Sequence, residues 1–247
     1  MSIAVQGLSF SYTGKKPALT NINFTLASGA FNALLGPNGA GKSTLFALLT
    51  RLYRLQQGDI EIGGLSISRS PRAVMQKLGV VFQQSTLDLD LSVRQNLHYH
   101  AALHGMPRQQ ARLAIDKSLE QMAMLERVDD SVRSLNGGHR RRVEIARSLM
   151  HQPSVLLLDE PTVGLDPETR KTLNAHVRDL CANENLTVLW ATHLIEEVQP
   201  QDHTLILING QLRAANSAQI ICQDTQQTNL AEAFNLLTKQ SKTEVPA

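Results

Sequence analysis

The chain has 247 residues, enough for one large domain, or one domain carrying a sizeable subdomain, with a full hydrophobic core. Its net charge of +2, with pI near 8.6, leaves no polybasic face for nucleic acid, and its apolar content of 42% is ordinary for a globular chain. Two isolated cysteines, Cys181 and Cys222, no leader-like pattern at Met1–Ala4 and no window near the roughly 18 uncharged apolar residues of a membrane span lead us to expect a soluble chain in a reducing compartment.

Residues 3–10 and 19–26 alternate apolar and polar, which predicts half-buried antiparallel strands joined by a turn at Thr13–Pro17. Ala30–Leu35 is a short apolar run that stops at Gly36. After a glycine-rich loop, Leu45, Leu48, Leu49 and Leu52 recur at helical spacing and predict an amphipathic helix. Residues 78–82 read as a buried strand. A helical pattern then fills roughly 92–152, with Ser92 and Gln95 as a capping box and Pro107 opening a helix after Gly105. This block reads as a helical subdomain, about 85–150, inserted between strands. The β/α alternation resumes with an apolar strand at 155–158, a helix from about Pro167 to Cys181, and buried strands at 186–191 and 204–208. Asn209-Gly210 is a hairpin signal leading to a short strand near 211–214. The expected domain runs over 1–238, and the polar stretch Lys239–Ala247 is expected to be a flexible tail.

Three motifs carry chemistry. Gly36-Pro37-Asn38-Gly39-Ala40-Gly41-Lys42-Ser43-Thr44 fits G-x-x-x-x-G-K-[ST] between a predicted strand and a predicted helix. Its glycines let backbone N–H groups turn toward phosphate oxygens, and the helix N-terminus adds positive potential. In such a loop Lys42 reaches the β- and γ-phosphates of ATP and the Ser43 hydroxyl ligates Mg²⁺. Secondly, the apolar strand ending at Leu158 runs into Asp159-Glu160. Successive residues leave a strand end in different directions, so Asp159 can hold Mg²⁺ while Glu160 takes a proton from an attacking water. Thirdly, Asn136-Gly137-Gly138 precedes a helix with apolar Val143, Ile145, Ala146 and Leu149. This is either a second anion-binding helix start or simply a helix capped by Asn136.

Taken in this order, Walker A, a glycine-pair loop and Walker B directly after its helix resemble the ABC ATPases. The chain is similar to ABC transporter nucleotide-binding subunits from about residue 3 to 235. The resemblance implies an α/β P-loop NTPase fold of ABC ATPase type, with an antiparallel β subdomain and the inserted helical subdomain. Further positions match it. Tyr12 resembles the A-loop aromatic that stacks on adenine, and Gln83 the Q-loop glutamine that contacts Mg²⁺ and senses the membrane partner. Asp166, in Gly164-Leu165-Asp166, resembles the D-loop at the dimer interface, and His193 the H-loop histidine on the γ-phosphate. The chain departs from the family's Leu-Ser-Gly-Gly-Gln signature at Leu135-Asn136-Gly137-Gly138-His139. Both glycines remain, and Asn136 offers an amide where serine offers a hydroxyl, so an active site with an altered rate is expected. His139 would add a pH-dependent charge that opposes the helix dipole. The resemblance also implies two subunits, in the simplest case a homodimer, sandwiching two ATPs, each P-loop facing the other copy's signature loop. It further implies a separate transmembrane permease at the cytoplasmic face of the inner membrane. Likeness is greatest to exporter subunits for drugs, polysaccharides and nodulation factors. Asn-Gly-Gly-His followed by Arg140-Arg141-Arg142 is also similar to a subgroup associated with bacterial quinoprotein alcohol dehydrogenase systems.

Other features point to structural roles. His98, His100 and His104 invite a metal reading, but no nearby cysteine or carboxylate completes the set. Arg140–Arg142 read as a solvated helix face pairing with Glu144, and Trp190 as core. Among rivals, a soluble iron–sulfur assembly ATPase would share every nucleotide motif and differ in not co-purifying with a membrane protein. A DNA-repair ABC ATPase needs a longer insertion than Lys42 to Asn136 allows. A non-hydrolysing sensor conflicts with intact Lys42, Glu160 and His193.

Overall fold

The computed structural model describes residues 3–14 and 16–243. Lys15, in the expected turn, Met1 and Ser2, and the last four residues of the expected tail lie outside them. In chain order come β1 (Ile3–Ser11), β2 (Pro17–Leu26), β3 (Phe31–Leu35), α1 (Lys42–Leu49), β4 (Gln57–Ile62), β5 (Leu65–Ser66), α2 (Pro71–Met75) and β6 (Leu78–Val81). Then follow α3 (Val93–Leu103), α4 (Arg108–Gln121), α5 (Gly137–Leu149), β7 (Val155–Asp159), α6 (Pro167–Glu184) and β8 (Thr187–Thr192). The chain closes with β9 (His203–Ile208), β10 (Gln211–Ser217), α7 (Ala218–Asp224) and α8 (Leu230–Thr243).

The strands form two sheets. One is antiparallel, in the order β2-β1-β4-β5; the other runs β10-β9-β3-β8-β7-β6. In the second sheet β6, β7, β8, β3 and β9 are parallel, and only β10 is antiparallel, at the edge. The continuous apolar runs explain this choice, since strands covered on both faces need no polar alternation. β7 and β8 are buried at every position. Each fully buried Leu or Val there contributes roughly 1.5–3 kcal/mol. α1 sits between the sheets, and its Leu45, Phe46, Leu48 and Leu49 pack with β1, β2 and β4 residues in one core. A second core lies under α3, α4 and α5, and a third, smaller one joins β9 to α7 and α8.

The helical insertion begins as the sequence indicates. Ser92 accepts from the Gln95 backbone at 3.2 Å while the Gln95 side chain accepts from Ser92 N at 2.8 Å, a complete capping box. Asn209 and Gly210 take φ values of 50° and 72°, the paired positive angles that a two-residue hairpin needs to follow strand twist.

Several expectations need correction. α1 ends at Leu49 and is apolar on all sides from Leu45 on, and Leu52, assigned to its stripe, is 64% exposed beyond it. A helix clamped between two sheets has no solvent face to keep polar. β4 and β5 join the antiparallel sheet from a stretch in which only Ile60 and Ile62 are fully buried, too sparse an alternation to announce a strand. α8 continues to Thr243, so the first part of the expected tail is helical.

Candidate nucleotide site

The site gathers where the parallel strands end. β3 stops at Leu35 and the loop Gly36–Gly41 follows; β7 stops at Asp159, with Glu160 next; β8 stops at Thr192, with His193 next; Gln83 lies just past β6. Ligands of open α/β sheets bind in the crevice outside these carboxyl ends. Together with Tyr12, just past β1, Asn38–Thr44, Gln83, Glu160 and His193 line one cleft of about 1110 Å³.

The loop's shape depends on glycine at two places. Gly41 caps α1 with φ 108°, a conformation other residues rarely adopt, and a Cβ there would meet Ala18 O at 2.9 Å. At Gly36 a Cβ would meet Leu207 O at 2.5 Å. The loop is therefore wedged against β9 and the start of β2, with Gly210 N donating to Ala40 O at 2.9 Å.

Lys42 is only 5% exposed. Its Nζ donates to Gly36 O at 2.8 Å and Pro37 O at 3.3 Å, and lies 3.1 Å from Glu160 Oε1. Glu160 is equally enclosed, 8% exposed, with a left-handed φ of 47° fixed by its N–H donating to Ala191 O at 3.0 Å. That strained backbone turns the carboxylate out of the strand's line into the cleft. Gln83 Nε2 donates to its Oε2 at 3.4 Å, and His193 Nδ1 lies 3.4 Å from the same oxygen. Three of the expected residues thus meet around the carboxylate of a fourth.

Asp159 and Ser43 lie beside it, with the Ser43 hydroxyl close enough to act on the Asp159 carboxyl. Burial pushes the Asp159 carboxyl above its usual range and neighbouring Glu160 adds to the rise, while Ser43, Lys42 and Arg141 oppose it. Asp159 Oδ1 is buried with no hydrogen-bond partner. A buried carboxylate oxygen left without a partner, next to a serine hydroxyl, fits a hard divalent cation with oxygen ligands. Tyr12 lines the same cleft. Its hydroxyl is 3.0 Å from Thr44 Oγ1, and its ring packs edge-on to Phe10 and Tyr53 with centroids 5.2 and 5.7 Å away.

Asn136, Gly137, Gly138 and Asp166 lie elsewhere. They are outside this cleft and belong to a second patch. Asn136 Oδ1 caps α5 by accepting from His139 N at 2.8 Å, which leaves Nδ2 as the donor. Asp166 caps α6 through Thr169 N at 2.9 Å and Thr169 Oγ1 at 2.6 Å. The two caps adjoin: a Cβ on Gly138 would meet Thr169 Cγ2 at 2.5 Å. Burial, with Arg127 and Arg142 nearby, lowers the His139 pKa, so this ring is neutral at neutral pH and does not oppose the helix dipole.

A brace behind the site is not evident in the sequence. Arg141 is not on a solvated face; it is 8% exposed. Its guanidinium donates to Phe82 O, Gln83 O and Glu144 Oε2, each at 2.8 Å, and Glu144 Oε1 accepts from Thr86 N at 2.9 Å. The pair fastens α5 to the loop carrying Gln83. The available signal was helical spacing: Gly138, Arg141, Ile145 and Ser148 form one buried row. Trp190 is core, as expected, but its Nε1 also donates to buried Glu197 at 2.9 Å, which Thr162 binds as well.

Comparison with known proteins agrees with the geometry. Residues 19–163 match the family described as ABC transporter. The chain belongs to that family, as an ATP-binding, ATP-hydrolysing subunit. It is 35% identical to the linearmycin resistance ATP-binding protein LnrL of Bacillus subtilis, over 85% of this chain and 67% of that protein. It is 36% identical to the daunorubicin resistance ATP-binding protein DrrA3 of Streptomyces coeruleorubidus, over 91% and 71%. A Nod factor export ATP-binding protein I of Paraburkholderia xenovorans is 37% identical, over 83% and 67%. Among solved structures, cbiO1 of Clostridium perfringens, part of the transporter complex cbiONQ, superposes with TM-score 0.80 at 27% identity, over 95% and 98%. An ATP-binding subunit of an ABC transporter shares the fold with TM-score 0.83 at 24% identity, over 96% and 100%. Likeness to the quinoprotein-associated subgroup rests on residues 136–142 alone. Among the described residues no helix is long and apolar enough to cross a membrane.

Proposed function

We propose that this subunit works as a homodimer that closes around two ATPs and powers export through a separate permease at the cytoplasmic face of a membrane. The observation that carries the catalytic part is the convergence of Lys42, Gln83 and His193 on Glu160 at the mouth of the phosphate loop. When a triphosphate fills the loop, its charge replaces the Glu160 carboxylate opposite Lys42. Glu160, kept beside His193 and Gln83, then accepts a proton from the water that attacks the γ-phosphorus. The bond to the ADP oxygen breaks, leaving ADP, phosphate and a protonated carboxyl. His193 and Lys42 bear on the γ-phosphate oxygens, and Tyr12 stacks on adenine. Asp159, Ser43 and Gln83 would hold Mg²⁺, which when bound neutralises charge on the β- and γ-oxygens.

The dimer is supported by what lies outside the cleft. Asn136–Gly138 form a capped helix start beside Asp166, away from the P-loop of the same copy. A second copy turned about a two-fold axis would bring that patch over the exposed γ-phosphate and complete the cage of donors. Export is supported by the relatives' names, which concern drug resistance and Nod factor export. A permease contact is supported by exposed Leu52, Tyr99 and Leu103, with Leu52 lining a cleft beside Phe82, next to Gln83. Sedimentation of Glu160→Gln tests the dimer: a shift from monomer to dimer on adding Mg²⁺-ATP supports it, and a monomer at saturating ATP refutes it.

A further inference from the structure

His100, in the last turn of α3, and His104, the residue that caps its C-terminus, lie one helical turn apart, and the fold brings His151, just beyond α5, against them. Ring centroids are 4.5 Å apart for His100–His104 and 4.5 Å for His104–His151. One ring nitrogen from each lies within 4.8 Å of the other two. His100 Nε2 and His151 Nδ1 are buried and have no hydrogen-bond partner. The other nitrogen of His151, Nε2, is 2.8 Å from Leu78 O. A carbonyl only accepts, so Nε2 carries the proton and the lone pair rests on Nδ1. This is the outer bond that fixes the tautomer of a metal-binding histidine.

We propose that His100, His104 and His151 bind a divalent first-row transition ion of the zinc class, with the fourth position open to water. Three imidazoles and no carboxylate suit zinc and its neighbours and disfavour Mg²⁺ and Ca²⁺, so the site does not compete for the nucleotide's cation. Tetrahedral bonds of about 2.0–2.1 Å set donor nitrogens about 3.4 Å apart. The rings therefore draw together by at most about 1.4 Å from their present separation. Burial lowers the pKa of all three histidines, that of His100 to about 3, so they are neutral bases at neutral pH and an incoming ion displaces no proton. Arg147 lines the same cleft and weakens the site by its charge, although its guanidinium is engaged with Thr86. An ion held here ties α3 of the helical insertion to the segment between α5 and β7. It sits in the cleft that also holds Phe82, next to Gln83.

Zinc titration of the full chain, followed by calorimetry, tests this. The expected result is one Zn²⁺ per chain in the wild type and in His98→Ala, an exposed histidine of the same helix. Removing a ligand costs more than the 10–100-fold typical of outer-shell partners. His100→Ala and His151→Ala should therefore each lose at least about 100-fold in affinity. His104→Ala, at an exposed position that leaves the core intact, should lose at least about 10-fold and keeps the test decisive if the other variants fail to fold. Bound Co²⁺ should show the visible bands of tetrahedral nitrogen ligation. Wild-type binding no tighter than that of His104→Ala would overturn the site. So would loss of zinc in His193→Ala, which would assign the ion to the nucleotide cleft.

Discussion

Replacing Arg141 by alanine should both unfold the protein earlier and slow it. The change removes the bonds to Phe82 O, Gln83 O and Glu144, and leaves the Glu144 carboxylate, 3% exposed, with only Thr86 N as a hydrogen-bond partner and only the more distant charge of Arg147 to face it. Breaking a buried ion pair by deleting one member typically costs 3–5 kcal/mol, because a charge stays buried without its counterion. The Thr86 bond offsets part of this, so about 3 kcal/mol is expected. In a domain of this size each kcal/mol lowers Tm by about 2–4 °C, which gives a fall of about 6–12 °C in a thermal scan. The double variant Arg141→Met with Glu144→Leu removes both charges and should recover most of that stability. It does not restore the donors to Phe82 O and Gln83 O, so its ATPase rate should stay low. A Tm for Arg141→Ala within about 1 °C of wild type would refute the brace. Full activity in the stable double variant would refute its link to Gln83.

Tyr12→Ala should weaken adenine nucleotide binding by about 1–3 kcal/mol if the ring stacks on the base; equal affinity by calorimetry would remove Tyr12 from the site. Burial lowers the folded-state pKa of His100, His104, His151, His176 and His203 below the ordinary 6.5. Below that pH the unfolded chain binds protons that the folded one refuses, so stability rises with pH in this window and falls on acidification from about pH 7 toward 4. Urea midpoints at pH 7.5 and 5.5 should show this fall, and His100→Gln should flatten it; a midpoint independent of pH would count against buried neutral rings.

The phosphate loop, the acidic strand end and the insertion were legible in the sequence because each is local. Gly36–Thr44 declares its own turn, Asp159-Glu160 closes an uninterrupted apolar run, and Ser92 with Gln95 makes a cap within four residues. What escaped depends on distant pairing. β4 is a strand because β1 offers it a ladder, with Ile3 opposite Ile62 and Val5 opposite Ile60, and not because its own pattern is strong. Leu52 continues a helical spacing that the backbone abandons at Thr50. Arg141 looked solvated within a basic run, yet the loop after β6 buries it. His151 completes a histidine cluster from the far end of the insertion, where no spacing rule reaches. Likewise, the separation of Asn136–Gly138 from the P-loop follows from the placement of α5 and α6 and is invisible in the motif itself.

Mg²⁺-dependent ATP hydrolysis by the purified chain, wild type beside Glu160→Gln, tests the central claim most directly. Turnover in the wild type with none in Glu160→Gln, while both still bind ATP, is the expected result and makes Leu135–His139 a working signature. Equal turnover in the two would contradict the assignment of Glu160 as the base.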